Sequence, residues 1–281
     1  MQTLKRIFVV PYLLACLLAA GHSLLHIVTT EQVSLAWYGA VVTLLPMLGF
    51  MVYIAVVPTA RTSRYMWIQL TGALVGGGMA AVELQPVVPV FYALVLGLGG
   101  VLSYIFWYSR LDRADNAVLQ AGKNLPKFEL EDADGNAVSS QHFHGKKLLM
   151  MFYRGNWCPL CVAQIREVAE RYRELEARGV NVVMVSPQPH KNTRKLAEKF
   201  DVPLQFYVDR GNRAATALQI THTGGIALGI SGYGSDTVYP TVIIADEQGK
   251  ILYCDLTDNY RVRPEPEAFI TFLDSGATRA G

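Results

Sequence analysis

Between residues 7 and 109 the chain carries only four charged side chains, Glu31, Arg61, Arg64 and Glu83. A stretch so long and so poor in charge would expose an apolar surface if it folded in water, so it calls for a different solvent. After Leu111 charges return every few residues. The expected organisation is therefore an apolar unit over residues 1–110, a linker over 111–124 and a second unit over 125–275.

The apolar unit divides into four runs, residues 7–28, 33–57, 65–84 and 88–108. Each is close to the ~20 residues with which an α-helix crosses ~30 Å of hydrocarbon. Trp37, Trp67, Trp107 and Tyr108 stand near the ends of these runs, where amphipathic rings favour the membrane interface. Gly72, Gly76, Gly77, Gly78, Gly97, Gly99 and Gly100 crowd the third and fourth runs, and small residues let helices approach closely in lipid. The expected fold of this part is an α-helical transmembrane bundle of four spans. Leu13-Leu14-Ala15-Cys16 faintly resembles a lipoprotein cleavage site, but the apolar run continues to Val28 and reads as a retained span.

Basic residues mark alternate connections: Lys5 and Arg6 before the first span, Arg61 and Arg64 between the second and third, Arg110 and Arg113 after the fourth. By the positive-inside rule both termini face the cytoplasm, as in a multi-pass protein of a bacterial-type inner membrane. The second unit then lies in the cytoplasm. His22 and His26 share one helical face and Glu83 closes the third span, all toward the outer side. Interhelical hydrogen bonding or interfacial placement explains them more simply than a haem or quinone role. The net charge of +2, with no basic cluster interleaved with aromatics, argues against nucleic acid as a partner.

In the second unit, apolar strands alternate with amphipathic helices. Residues 147–153 form a continuous apolar run of the kind found in buried central strands. Residues 161–178 repeat apolar positions at Ile165, Val168, Tyr172 and Leu175, a helix stopped by Gly179. A second buried strand follows at 180–185, a helix at 192–200, and a hairpin over 241–254 turning at Asp246-Glu247-Gln248-Gly249. Strand, helix, strand, helix, hairpin and helix make a three-layer α/β domain.

Cys158-Pro159-Leu160-Cys161 follows the central strand and opens the long helix. Free N–H groups and the helix dipole favour a thiolate there, and Pro159 suits a first turn because it lacks an N–H. Cys158 is expected to be the more exposed sulfur, able to attack a disulfide that Cys161 then resolves. Arg154 adds positive charge nearby. Half of a zinc site with His142 and His144 is the competing reading, disfavoured by the βαβ context; neither metal nor organic cofactor is called for. Cys16 and Cys254 have no partner at a recognisable spacing, and Cys254 reads more simply as a small apolar residue ending a strand. The Gly224-Gly225 and Ile230–Ser235 glycine-rich stretch lacks a phosphate-binding lysine and reads as a mobile rim.

Phe152-Tyr153-Arg154-Gly155-Asn156-Trp157-Cys158-Pro159-Leu160-Cys161 resembles the active-site stretch of peroxiredoxin-like proteins of the alkyl hydroperoxide reductase/thiol-specific antioxidant group. Leu125-Pro126-Lys127-Phe128-Glu129-Leu130, Val183-Met184-Val185-Ser186 and Val242-Ile243-Ile244-Ala245-Asp246 are similar to other strands of that group, and the segment from Asp258 to Pro266 is similar to its tail. The resemblance implies a thioredoxin-like domain, a redox-active dithiol and an antioxidant-type oxidoreductase. It also implies a disulfide-bearing protein or a peroxide as substrate, and a thiol reductant as electron donor.

Two departures limit the resemblance. Cys158 stands where the family has Thr or Ser, three residues before its peroxidatic cysteine, which here is Cys161. Tyr239-Pro240 stands where the family has a peroxide-polarising Arg, and with Thr241 it resembles the cis-proline segment of thioredoxins instead. No counterpart of the thioredoxin buried acid is evident. Three functions follow: a membrane-anchored thiol–disulfide oxidoreductase with Cys158 attacking, a thiol peroxidase with Cys161 peroxidatic and Cys158 resolving, or a redox-inactive binding module. Trp157, Pro159 and Pro240 are expected to support the site. Arg261 and Arg263 read equally as site charges or as solvated surface residues.

Overall fold

The computed structural model describes residues 2–228, 230 and 232–276. Four helices come first: α1 (Gln2–Thr29), α2 (Leu35–Val56), α3 (Trp67–Val82) and α4 (Val87–Tyr108). Three of them, α1, α2 and α4, are long and apolar enough to cross a membrane, whereas α3 has 16 residues. Within α4 the turns widen to π-helix over Tyr92–Gly99 and Tyr104–Tyr108, a local widening often found at functional positions.

The glycines set how closely these helices pack. A Cβ at Gly76 would run into the Gly39 carbonyl and lie 2.9 Å from the Thr43 nitrogen, so α2 and α3 touch backbone to backbone. Glu83 accepts a hydrogen bond from the Leu35 N–H at 2.8 Å, capping α2 across the bundle. His22 Nδ1 lies 3.0 Å from the Tyr92 hydroxyl, and His26 stacks on Trp37. These three ionisable residues thus serve helix packing.

The second unit is built on a seven-stranded sheet in the order β2-β1-β5-β4-β3-β8-β9. Its strands are β1 (Glu129–Glu131), β2 (Ala137–Ser139), β3 (Lys147–Phe152), β4 (Val180–Ser186), β5 (Gln205–Val208), β8 (Thr241–Ala245) and β9 (Ile251–Asp255). The pair β6 (Thr221–His222) and β7 (Thr237–Val238) lies apart. Strands β3, β4 and β5 are parallel, while β8 runs antiparallel to β3 and returns as β9.

Side chains alternate across a strand, so β3 feeds two cores. Leu148, Met150 and Phe152 join one apolar cluster; Leu149 and Met151 join the other, beneath α5 (Pro159–Glu170). The long helix foreseen over 161–178 is interrupted at Arg171, after which α6 (Tyr172–Ala177) resumes. The remaining helices are α7 (His190–Ala197), α8 (Arg213–Ala217) and α9 (Pro266–Ser275). Residues 111–124 form no helix. They are pinned by buried Leu111 and Leu119 and by the Asn116 side chain, which accepts from the Val118 and Leu119 N–H groups.

The two units are bolted together. Arg261, fully buried, donates to Ser109 Oγ at 2.8 Å, Thr62 Oγ1 at 3.0 Å and the carbonyls of Ser63 and Arg64 at 2.8 and 3.1 Å. Arg61 pairs with Glu167 on α5 and donates to the Arg263 carbonyl. The Tyr104 and Tyr260 hydroxyls share a short hydrogen bond, and Lys5 pairs with Asp112 at 2.5 Å.

Candidate active site

Cys158 is the N-cap of α5 and leaves β3 through a sharp turn. Gly155 makes that turn at φ +146°, a conformation open to glycine, and a Cβ there would also strike the Trp157 ring. The N–H groups of Cys161 and Val162 both donate to the Cys158 carbonyl, at 3.0 and 3.1 Å, closing the first helical turn. Pro159 occupies N1 and faces outward. Both thiols are free and enclosed, Cys158 at 2% exposure and Cys161 at 0%, so the expected exposure of Cys158 is not met.

What covers them explains the difference. Ile54 of α2 and Tyr260 pack against the cluster that contains both cysteines. Arg263, buried at 4% exposure, lies directly against the sulfurs. Its Nη2 is 3.4 Å from Cys161 Sγ and 3.9 Å from Cys158 Sγ. Its Nη1 donates to Gln164 Oε1 and its Nε to the Tyr260 carbonyl, both at 3.0 Å, so the guanidinium is held on three sides. Arg263 is thus a site residue and not a solvated one. Its neighbour Arg261 serves the clamp to the helical unit.

Arg154 supplies a second positive charge. Its guanidinium stacks 4.7 Å from the Trp157 ring and 5.7 Å from that of Tyr260, and its carbonyl accepts from Thr237 Oγ1. Burial opposes ionisation of Cys161, but the hydrogen bond from Cys158 and the charges of Arg263 and Arg154 overcome it. They hold Cys161 well below the ordinary cysteine value. Cys158, donor in that bond and buried, is pushed well above it. Of the two thiols, Cys161 is the one whose ionisation these surroundings favour.

Asp255, at the end of β9, is a half-buried carboxyl that feels the charge of Arg263. Burial pushes its carboxyl up to about 6, against the charges of Arg113 and Arg263. It comes from the far hairpin, so no spacing from the motif points to it.

The structure departs from expectation at Pro240. The Tyr239–Pro240 bond is trans; among the described residues the cis peptide is Gln85–Pro86. A trans bond carries the chain extended into β8, where Thr241 pairs with Phe152, and the Pro240 carbonyl accepts from Arg113. Cys254 lies in the core on the other face of the sheet from the dithiol, with burial raising its thiol to about 12. His142 and His144 precede β3 while the dithiol follows it, so the zinc pairing is not assembled. Opposite Trp157, Tyr233 of the glycine-rich stretch donates to Asn156 and edges a half-open cleft that reaches Arg154. Ser231 of that stretch lies outside the described residues.

Residues 121–254 match the model of the AhpC/TSA family. The second unit is a peroxiredoxin-like domain of thioredoxin fold. Its relatives include thiol-disulfide oxidoreductase ResA of Halalkalibacterium halodurans, 24% identical over 152 residues, which are 54% of this chain and 76% of that protein. Chloroplastic peroxiredoxin Q of Sedum lineare is 29% identical over 97 residues, 34% of this chain and 52% of that protein. The chain thus spans about half the length of that peroxiredoxin Q. Reduced Prx3 from Vibrio vulnificus superposes with a TM-score of 0.48 at 18% identity, covering 55% of this chain and 97% of that one. By name one relative is a thiol-disulfide oxidoreductase and the other a peroxiredoxin, and thiol-based redox chemistry is the activity class of this peroxiredoxin-like domain. The family match ends at residue 254, so Arg263 and the segment that carries it lie beyond it.

Proposed function

We propose that the protein is a membrane-anchored thiol peroxidase in which Cys161 is the attacking thiolate and Cys158 resolves it. The organisation behind this reading is a helical anchor over residues 1–110, a connecting segment over 111–124 and the redox domain over 125–275. Basic residues at alternate connections favour a cytoplasmic redox domain in a bacterial-type inner membrane. The observation that carries the reading is Arg263 Nη2, closer to Cys161 than to Cys158 in a closed, water-poor pocket. It supplies beside the thiols a guanidinium that the family's arginine position, here Tyr239-Pro240, lacks.

In the first step the Cys161 sulfur attacks the terminal oxygen of a hydroperoxide. An S–O bond forms as the O–O bond breaks, and the leaving alkoxide takes a proton to depart as alcohol, or as water from hydrogen peroxide. Arg263 and Arg154 stabilise the charge on sulfur before attack and on oxygen after it. Cys158 sulfur then attacks the Cys161 sulfenic acid; its proton leaves with the hydroxyl as water, and the 158–161 disulfide forms. A dithiol reductant restores both thiols by exchange and is itself oxidised. Trp157 and Pro159 shape the turn; Pro240, with its carbonyl engaged by Arg113, shapes the wall.

A second reading, thiol–disulfide exchange with Cys158 attacking, is favoured by the similarity to ResA, which extends over 76% of that protein. The two are separated by stoichiometric turnover of peroxide and of a protein disulfide by Cys158→Ser and Cys161→Ser proteins. One equivalent of peroxide consumed by Cys158→Ser and none by Cys161→Ser supports the peroxidase. A mixed disulfide trapped on Cys158 in Cys161→Ser, with no peroxide consumed by either variant, overturns it.

A further inference from the structure

A small, half-open recess lies where the inner ends of α1 and α4 meet the redox domain. Lys5, Arg6, Arg110 and Arg154 line it, with Tyr108 and Tyr260. Lys5 is already neutralised by Asp112. Among the described residues Arg6, Arg110 and Arg154 are in no ion pair, and the buried Nε atoms of Arg6 and Arg154 have no hydrogen-bond acceptor. Arg154 itself is more than nine-tenths buried. Arg154 gives one N–H to the Gly225 carbonyl, Arg6 is half-buried and Arg110 exposed, so the three guanidinium groups leave donors facing the recess from which an anion can accept. His222, on the same wall, reports the same field: burial, Arg154, Arg113 and Lys5 push its imidazole down to about 3, so it stays neutral.

We propose that this recess is a binding site for a phosphate-type oxyanion, held by Arg6, Arg110 and Arg154. Guanidinium groups match such an anion through paired N–H donors. The position, at the start of the first span and just past the end of the last, suits the headgroup of an anionic phospholipid; free inorganic phosphate has the same chemistry. Because Arg154 also stacks on Trp157 beside the dithiol, an occupied site places the anion next to the redox centre, a consequence that holds whichever sulfur attacks first.

The test uses the full-length protein in phosphatidylcholine nanodiscs. One arm titrates radiolabelled inorganic phosphate; the other replaces phosphatidylcholine with increasing phosphatidylglycerol and follows transfer from the protein tryptophans to a headgroup-labelled phosphatidylglycerol. Saturable binding in the phosphate arm identifies free phosphate as a ligand; saturation in the lipid arm alone identifies the headgroup. In either arm, Arg6→Gln with Arg110→Gln is expected to weaken binding by about tenfold or more, and the corresponding double lysine variant by less. Arg64→Gln, a cation at the same boundary but outside the recess, is expected to leave it unchanged. Absence of saturable binding in both arms overturns the proposal, as does equal weakening by Arg64→Gln. The variants are compared only where their thermal unfolding matches the parent.

Discussion

Replacing Arg263 by glutamine removes a full positive charge 3.4 Å from Cys161 Sγ while keeping a donor in the same place. At that separation, with an effective dielectric constant of ~20, one unit charge acting on another amounts to ~5 kcal/mol, which is a ceiling. Arg154 remains, and glutamine still donates, so the rise expected for Cys161 is about 1–3 pKa units, or about 1.4–4 kcal/mol. Once the pKa passes the working pH, each unit lowers the thiolate fraction, and with it the rate of peroxide attack, about tenfold. The measurement is the ultraviolet absorbance of the thiolate against pH in a Cys158→Ser background, paired with the rate of alkylation at fixed pH. Arg263→Lys, which keeps the charge, should recover most of the effect. A folded Arg263→Gln protein whose Cys161 titrates within about 0.3 units of the parent would refute the electrostatic argument.

Three other perturbations follow from the same structure. Asp255→Asn removes a carboxyl that stays neutral below about 6. Its folded value is raised above the unfolded one, so its ionisation costs stability as pH rises through that window; the asparagine protein should lose this slope in melting temperature against pH. Arg261→Met abolishes four hydrogen bonds from the redox domain to the helical unit, three to the connection joining α2 to α3 and one to Ser109 just past α4. It should cost more than about 3 kcal/mol and expose that connection to protease, with limited proteolysis as the readout. Gly76→Ala forces a methyl group onto the α2 backbone and should lower thermal stability in detergent by about 1–3 kcal/mol; Gly78→Ala, with open space around it, should not.

Much of this architecture was legible from periodicity and charge. The paucity of charge before residue 109 located the helices, and the uninterrupted apolar run at 147–153 marked β3 as buried on both faces. The dithiol was legible because strand, Cys-x-x-Cys and helix are adjacent in the chain. Arg263 was ambiguous because it is more than 100 residues from the thiols, and an arginine among prolines and glutamates reads as surface. It is buried because the 57–66 connection of the helical unit, through Arg61 and the Arg261 clamp, presses its segment onto α5. Asp255 escaped for a similar reason: its environment is made by Arg113 and Arg263 together. The cis assignment at Pro240 followed a local resemblance, whereas the strand it enters needs only an extended trans link. Hydrophobic patterning thus marks which segments are buried, but not which charged residue a second unit will press into a core.

The same burial bears on substrate size. With both sulfurs enclosed and Arg263 against them, a small hydroperoxide needs far less rearrangement to reach Cys161 than a folded protein disulfide needs to reach Cys158. The helical unit is in this account part of the active-site wall, and it holds the guanidinium that favours ionisation of Cys161.

The most direct test is to react the fully reduced full-length protein with one equivalent of hydroperoxide in the presence of a sulfenic-acid trap, then locate the adduct by peptide mass spectrometry. With Cys158→Ser to prevent condensation, the account expects the adduct on Cys161 within the first turnover. An adduct on Cys158 in the Cys161→Ser protein, with none on Cys161 in the Cys158→Ser protein, would contradict it.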